Sequence, residues 1–249
     1  MDIKERVEWI KSVLKEAHAD GIVYGNSGGK DCSLVSILCK MACDNTVGII
    51  MPCESSRNYG QDMSDAMAVS DKFGIKNIVI DVTKGKQAMC EVLNSELDKV
   101  SEERRKKALI NINPRLRMIT LYAYAAANNM LVAGTGNRSE AAMGYFTKWG
   151  DGAYDFNPIS DLTVTEVYEM LAELGCPEQI IKKAPSAGLY EGQTDEAEMG
   201  ISYAAIDKYL LSKEGQKEDV DKIERAIAAS AHKRRMPLTF KNSENNDKL

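Results

Sequence analysis

The segment Ser27-Gly28-Gly29-Lys30-Asp31-Cys32-Ser33 concentrates glycines, hydroxyls, a cation and a carboxylate in one short turn. It follows a short apolar run, Ile22-Val23-Tyr24, and precedes the apolar stretch Leu34 to Leu38, so it lies where a strand turns into a helix. Helix N-termini present unpaired N–H groups and the positive end of a dipole, which makes such a turn a natural seat for phosphate. Gly28 and Gly29 let the backbone approach an anion closely and permit positive φ. Asp31 would repel phosphate unless a divalent cation lay between them, so its presence implies Mg²⁺. Gly25 and Gly29 are separated by three residues rather than the four of a Walker A loop, and Lys30 is followed by Asp31 rather than Ser or Thr. The turn is no G-x-G-x-x-G fingerprint either. Glycines used for βα geometry alone are the plainer alternative.

A second group, Gly134-Thr135-Gly136-Asn137-Arg138-Ser139-Glu140, follows another apolar run, Met130 to Ala133. With both runs as strands of one sheet, Glu140 faces Asp31 across a shared crevice and completes a magnesium site. The next segment, Gly144-Tyr145-Phe146-Thr147-Lys148-Trp149-Gly150-Asp151-Gly152, mixes aromatics, a lysine, an aspartate and glycines, a composition suited to a flat ring and its phosphates. Cys32 and Cys53 have no histidine near them in sequence and read as packed thiols, not nucleophiles.

The elements that must position these groups are legible as alternating periods. Val7, Ile10, Val13 and Leu14 recur at helical spacing, and the opening helix ends near Asp20-Gly21. Val47 to Met51 and Ile78 to Ile80 read as strands, with helices predicted over Asp62 to Phe73, Lys86 to Val100 and Pro114 to Asn128. Short apolar strands alternating with helices predict an α/β fold: a doubly wound, mostly parallel sheet with helices on both faces. Gly134 to Gly152 reads as a glycine-rich stretch without regular structure. Thr163 to Leu174, Ser202 to Leu211 and Asp219 to Ala231 make the C-terminal part mainly helical, and Lys241 to Leu249 reads as a frayed polar tail. A single domain over 1–249 is expected.

Composition removes several classes. Lys and Arg total 32 against 37 Asp and Glu, a net charge of −5, which gives no basic surface for nucleic acid or a membrane. Six cysteines without a C-x-x-C pair and two histidines argue against a zinc site or a disulfide framework. There is no apolar run of the length that spans a membrane, and Met1 to Lys15 is a charged amphipathic segment, not a signal peptide. A cytoplasmic location is expected. No internal repeat is found.

Ser27-Gly28-Gly29-Lys30-Asp31 resembles the S-G-G-x-D-S loop of the PP-loop ATP pyrophosphatases, with Cys32 in place of the usual serine. Together with Gly134 to Gly152, Pro185-Ser186-Ala187-Gly188-Leu189, Gln193-Thr194-Asp195-Glu196 and Gly200-Ile201-Ser202-Tyr203, it is similar to the ammonia-dependent NAD synthetases over nearly the whole chain, as far as His232-Lys233-Arg234. The resemblance implies a ligase with ATP as co-substrate and Mg²⁺ as metal. It would amidate deamido-NAD with ammonia through an adenylated nicotinate carboxylate, and would work as a homodimer. It places the magnesium carboxylates on Asp31 and Glu140 and the catalytic groups on Asp31, Glu140 and Lys148. ATP contacts fall on Ser27, Gly28, Gly29, Lys30, Asp31, Cys32, Ser33, Thr135 and Ser186. Substrate contacts fall on Asn111, Arg115, Tyr145, Lys148, Asp151, Glu198, His232 and Lys233, and Arg117 belongs to the same Pro-Arg-Leu-Arg motif as Arg115.

One position departs from the family. Val164 stands where the resemblance implies a phosphate-contacting lysine, and Lys30 is the candidate to supply the missing charge. Two alternatives stay open: a nucleotide-binding homologue with impaired catalysis, and a PP-loop synthetase with another acceptor. A glutamine-dependent enzyme would carry an amidotransferase domain, for which this length leaves no room, so free ammonia is the expected donor.

Overall fold

The computed structural model describes residues 2–54, 59–183 and 195–239. Among them, β1 (Gly21–Gly25), β2 (Thr46–Ile50), β3 (Lys76–Val79) and β4 (Met130–Ala133) form one parallel sheet in the order β3-β2-β1-β4. Ile22 aligns with Thr46 on one side and Leu131 on the other, so β1 is central. A chain that leaves β1 for β2 in one direction and returns to β4 in the other creates a switch point at β1. The predicted doubly wound fold with a helical C-terminal part is the one observed.

Side-chain alternation along β1 divides the core. Ile22 and Tyr24 pack with α1 (Ile3–Ala17), α2 (Lys30–Ala42) and α8 (Val164–Glu173), whereas Val23 packs with Val47, Ile49, Val132 and Ala125 of α6 (Ile112–Asn128). Ile22, Val23 and Tyr24 are fully buried, which is why this strand reads as a continuous apolar run rather than an alternating one. Each such side chain contributes about 1.5–3 kcal/mol on burial. The remaining helix on the β2 side is α3 (Gln61–Phe73), closed by Gly74 in the left-handed region.

The helices α4 (Thr83–Leu97) and α5 (Glu102–Ile110) bury no residue. The start of α4 precedes the predicted one, and α5 is not anticipated at all, because Glu-Glu-Arg-Arg-Lys-Lys offers no apolar period and only the Ser101 cap marks its start. Gly134 to Gly152 also differs from its reading as irregular chain, since it contains α7 (Arg138–Met143). Asn137 caps α7, its side chain accepting from the Glu140 N–H while its own N–H donates to Glu140, a capping box.

After α7 come α8, α9 (Glu178–Ile181), α10 (Asp195–Met199), α11 (Tyr203–Ser212), α12 (Lys217–Ser230) and a 3₁₀ turn (Ala231–Lys233). Val164 of α8 joins Ile201, Tyr203, Ile206 and Ile223 in a second cluster, while Val167 and Met170 of the same helix join the sheet core. Buried Asp207 ties the pieces together. One carboxylate oxygen accepts from Ser139 Oγ at 2.5 Å, and the other accepts from Thr165 N and Oγ1 at 2.8 and 2.7 Å. Asp207→Ala strands those donors, and a loss of about 2–3 kcal/mol in urea unfolding is expected. A loss below about 0.5 kcal/mol would show that Asp207 does not fix α7. Ser186 and the tail from Lys241 onward lie outside the described residues.

Candidate active site

The phosphate loop leaves the carboxyl end of β1, and the loop Gly134–Gly136 leaves the carboxyl end of its neighbour β4. Both feed helices whose N-termini meet at a cleft of about 1150 Å³. At the start of α2 the cap is Gly29, which offers no side-chain acceptor, so the first N–H groups stay available to an anion. Buried Asn26 shapes the turn by accepting from Gly28 N at 3.2 Å and donating to Asn77 Oδ1 at 3.1 Å. Gly28 has φ +68°. The Cys32 thiol and the Ser33 hydroxyl both donate to the Gly29 carbonyl, at 3.2 and 2.7 Å. Burial pushes the Cys32 thiol up, away from thiolate, consistent with its reading as a packed group.

Asp31 and Glu140 do meet across the crevice, and the residue that joins them is Asn137. Its Nδ2 donates to Asp31 Oδ1 at 3.0 Å and its backbone N–H donates to Glu140 Oε2 at 3.2 Å. Lys30 Nζ donates to Asp31 Oδ2 at 2.7 Å and stands 3.9 Å from Glu140 Oε1. Burial, and after it the charge of Asp31, pushes the Glu140 carboxyl up to about 8. Burial alone would lower the Lys30 ammonium, but Asp31 and Glu140 outweigh it and hold the proton more tightly than usual.

These carboxylates suit a magnesium ion. Hard oxygen donors are required, and Mg²⁺ commonly takes one or two carboxylates together with substrate phosphates. Among the described residues no group of three or more His, Cys, Asp or Glu could hold a metal ion by itself. The Glu140 carboxyl, raised by burial and then by the charge of Asp31, would be stabilised in its charged form by an added cation.

Of the other residues singled out in the sequence, Ser27, Thr135, Asn111, Tyr145, Asp151, Glu198 and Lys233 line the same cleft. Tyr145 donates to Glu198 Oε2 at 2.6 Å, and Asp151 Oδ1 accepts from Thr147 N at 2.9 Å. Lys148 and Lys233 brace the glycine-rich segment against the C-terminal turn: Lys148 Nζ donates to the His232 carbonyl at 2.6 Å, and Lys233 Nζ donates to those of Gly144 and Phe146 at 2.7 and 2.8 Å. Arg115, Lys148 and His232 are not among the lining residues, and Arg115 is exposed with Nη2 donating to the Lys148 carbonyl at 3.3 Å. Of the two arginines in the Pro-Arg-Leu-Arg motif, the one that lines the cleft is Arg117, whose Nε donates to the Met51 carbonyl at 3.3 Å. Val164 is buried in the apolar cluster below Tyr203 and is not among the lining residues either.

A model of the NAD synthase family matches residues 2–237. The chain belongs to the NAD synthase family. Within the family it is 49% identical over 232 residues to the NH₃-dependent NAD⁺ synthetase of Carboxydothermus hydrogenoformans, covering 93% of each chain. Among solved structures, it resembles an NMN synthetase from Francisella tularensis with TM-score 0.86 and 36% identity, covering 95% of this chain and 96% of that one. It also resembles an NH₃-dependent NAD synthetase from Campylobacter jejuni in complex with nitrate, with TM-score 0.75 and 30% identity, covering 96% and 99%.

Three residues of this site are given no individual role in the sequence. Asn137 is quoted only as a member of Gly134 to Glu140, although its offset of three from Glu140 is the capping-box signal that could have found it. Tyr203 sits with its ring centroid 5.4 Å from Lys30 Nζ. Lys183 reaches back to the phosphate loop, donating to the Gly28 carbonyl at 3.3 Å while pairing with Asp62 and Asp65 at 2.9 and 2.7 Å. Neither of the last two is given a role by its local sequence: Tyr203 enters only through the Gly200 to Tyr203 block of the resemblance, and both arrive from segments more than a hundred residues downstream.

Proposed function

We propose that this chain is an ammonia-dependent NAD synthetase, a ligase that forms a C–N bond by amidating deamido-NAD with ATP. The observation that supports it best is the Asn137 bridge, which brings Asp31 and Glu140 together beside an uncapped helix N-terminus in one cleft. A carboxylate is a poor acyl donor until its oxygen is made a good leaving group. An oxygen of the nicotinate carboxylate attacks the α-phosphorus of ATP, and the bond to pyrophosphate breaks. Ammonia then attacks the carboxyl carbon, loses a proton, and AMP departs with the oxygen.

The chain's part is positioning and electrostatics. The N–H groups of α2 with Ser27, Gly28, Gly29, Cys32 and Ser33 form the triphosphate seat, with Thr135 beside it; the resemblance adds Ser186, which lies outside the described residues. Asp31 and Glu140 would hold Mg²⁺, which offsets the charge of departing pyrophosphate. Asn111, Tyr145, Asp151, Glu198 and Lys233, which line the cleft, form the acceptor side; Arg115, Lys148 and His232, which the resemblance also gives to the acceptor, are not among the lining residues. Arg117 offers a guanidinium held only by the Met51 carbonyl among the described residues.

The protein acts as one domain and as a homodimer in the cytoplasm. Val92, Ile119 and Met89 are 75%, 58% and 41% exposed on α4 and α6, an apolar face that a second copy would cover. No helix among the described residues is long and apolar enough to cross a membrane.

The likeness to the Francisella tularensis NMN synthetase supports a second reading, in which the acceptor is the mononucleotide acid rather than the dinucleotide. Incubation with ATP, Mg²⁺ and ammonium and either acceptor separates the two. Amide and pyrophosphate should form in equal amounts, with kcat/KM for deamido-NAD at least about tenfold higher, the worth of one lost phosphate contact. The opposite preference would install the second reading, and nucleotide binding without pyrophosphate release would sink both.

A further inference from the structure

Lys30 stands where its charge is least expected. It is the first residue of α2, at the positive end of the helix dipole, where a cation is disfavoured. Its side chain is nevertheless only 5% exposed, less than the 15% and 18% of Asp31 and Glu140. A buried ammonium is tolerated only with compensation, and this one has it on three sides: Asp31 at 2.7 Å, Glu140 at 3.9 Å, and the face of Tyr203 at 5.4 Å from the ring centroid. The dependence runs the other way as well. Asn137 reaches both carboxylates through neutral N–H groups and adds no charge. Among the described residues, Lys30 is the one basic side chain within 4.0 Å of Asp31 or of Glu140.

We propose that Lys30 is the resident counter-ion of the Asp31–Glu140 pair, its ammonium neutralising in the nucleotide-free protein the carboxylates that otherwise hold a divalent cation. The proposal rests on the reading of those two residues as metal-holding. It assigns Lys30 a role different from that of a phosphate grip, since the side chain is folded onto the adjacent Asp31 and roofed by Tyr203. Two consequences follow from charge alone. The acidic pair stays together without metal, so the site is organised before substrate arrives. The carboxylates also take up a divalent cation weakly by themselves, and gain it together with nucleotide phosphates, which add oxygen ligands for the metal and a second set of anions for the displaced ammonium.

The test uses Mn²⁺ as the probe, with free Mn²⁺ read by electron paramagnetic resonance in the absence of nucleotide, and no activity enters it. Lys30→Gln, which keeps an amide donor, and Lys30→Met, which keeps the length, should each bind Mn²⁺ at least about tenfold more tightly than the parent, because a cation near two part-buried carboxylates is removed. Mg²⁺ should raise the melting temperature of both variants while leaving that of the parent nearly unchanged. Equal Mn²⁺ affinity in parent and variants overturns the counter-ion role. So does a parent that binds Mn²⁺ as tightly without ATP as with it, a measurement that needs no variant to fold. Adding Asp31→Asn to Lys30→Gln should abolish the gain. If the double variant keeps it, the metal-holding reading of Asp31 is what fails, and the proposal falls with its premise.

Discussion

Glu140→Gln is expected to lower kcat/KM by about 10²–10³, the loss produced by removing one preorganised electrostatic group, and at the same time to make the protein more resistant to heat at alkaline pH. The two effects have one origin. Glu140 is held beside Asp31 in a site where burial and the neighbouring charge push its carboxyl up to about 8, from a usual value of 4.5. Between these values the unfolded chain has released the proton that the folded chain retains. Stability therefore falls as pH rises through this window: the contribution is whole below about 4.5 and gone above about 8. Lys30, whose proton is held more tightly in the fold, titrates above the window. The amide introduced by Glu140→Gln keeps the capping geometry and carries no charge. The variant's melting temperature relative to the parent should accordingly climb from about pH 5 to about pH 8 and then level off, which a set of thermal scans can read. A difference that does not vary with pH would remove the electrostatic account of the site, and an undiminished kcat/KM would remove Glu140 from the chemistry.

Much of this arrangement is legible in the chain, for a physical reason. Ile22 to Tyr24 and Met130 to Ala133 are largely buried on both faces, so composition alone marks them as strands. Each is followed directly by glycine and polar residues at the edge where doubly wound folds bind ligands, and Asp31 and Glu140 are found that way. What local pattern does not reveal is the set of groups that complete the site from a distance. Tyr203 over Lys30, Lys183 on the Gly28 carbonyl and Asp207 behind α7 are ordinary residues until tertiary packing brings them in. Orientation is equally silent in sequence. Arg115 and Arg117 are two apart on α6 and so cannot share a face, and it is Arg117 that lines the cleft. Lys30 could be read toward phosphate, yet its ammonium is turned to the carboxylates, because burying it without them would cost more than the fold can offset.

Gly28→Ala should reduce kcat/KM for ATP by about 100-fold or more, whereas Gly29→Ala, one residue on, should stay within roughly tenfold. At Gly28 φ is +68°, a conformation that costs an L-residue about 1–2 kcal/mol. A methyl group there also meets the Asp62 carbonyl oxygen, the Ala66 N at 3.0 Å and the Asp65 Cβ at 3.1 Å. Two of these are α3 backbone atoms that cannot rotate away, so the loop itself has to shift. Lys183 resists that shift by clamping the Gly28 carbonyl to Asp62 and Asp65, and the resulting displacement moves the N–H groups of α2 that are proposed to hold the triphosphate. Gly29 has φ −89°, open to any residue, and a methyl group there meets only the Ser27 hydroxyl at 3.4 Å. Steady-state kinetics on both variants at saturating acceptor decides the matter. Equal losses would mean that the close packing of the loop on α3 has no bearing on how it holds nucleotide. A loss confined to Gly28→Ala, with both variants folded by circular dichroism, ties that approach to the phosphate-binding geometry.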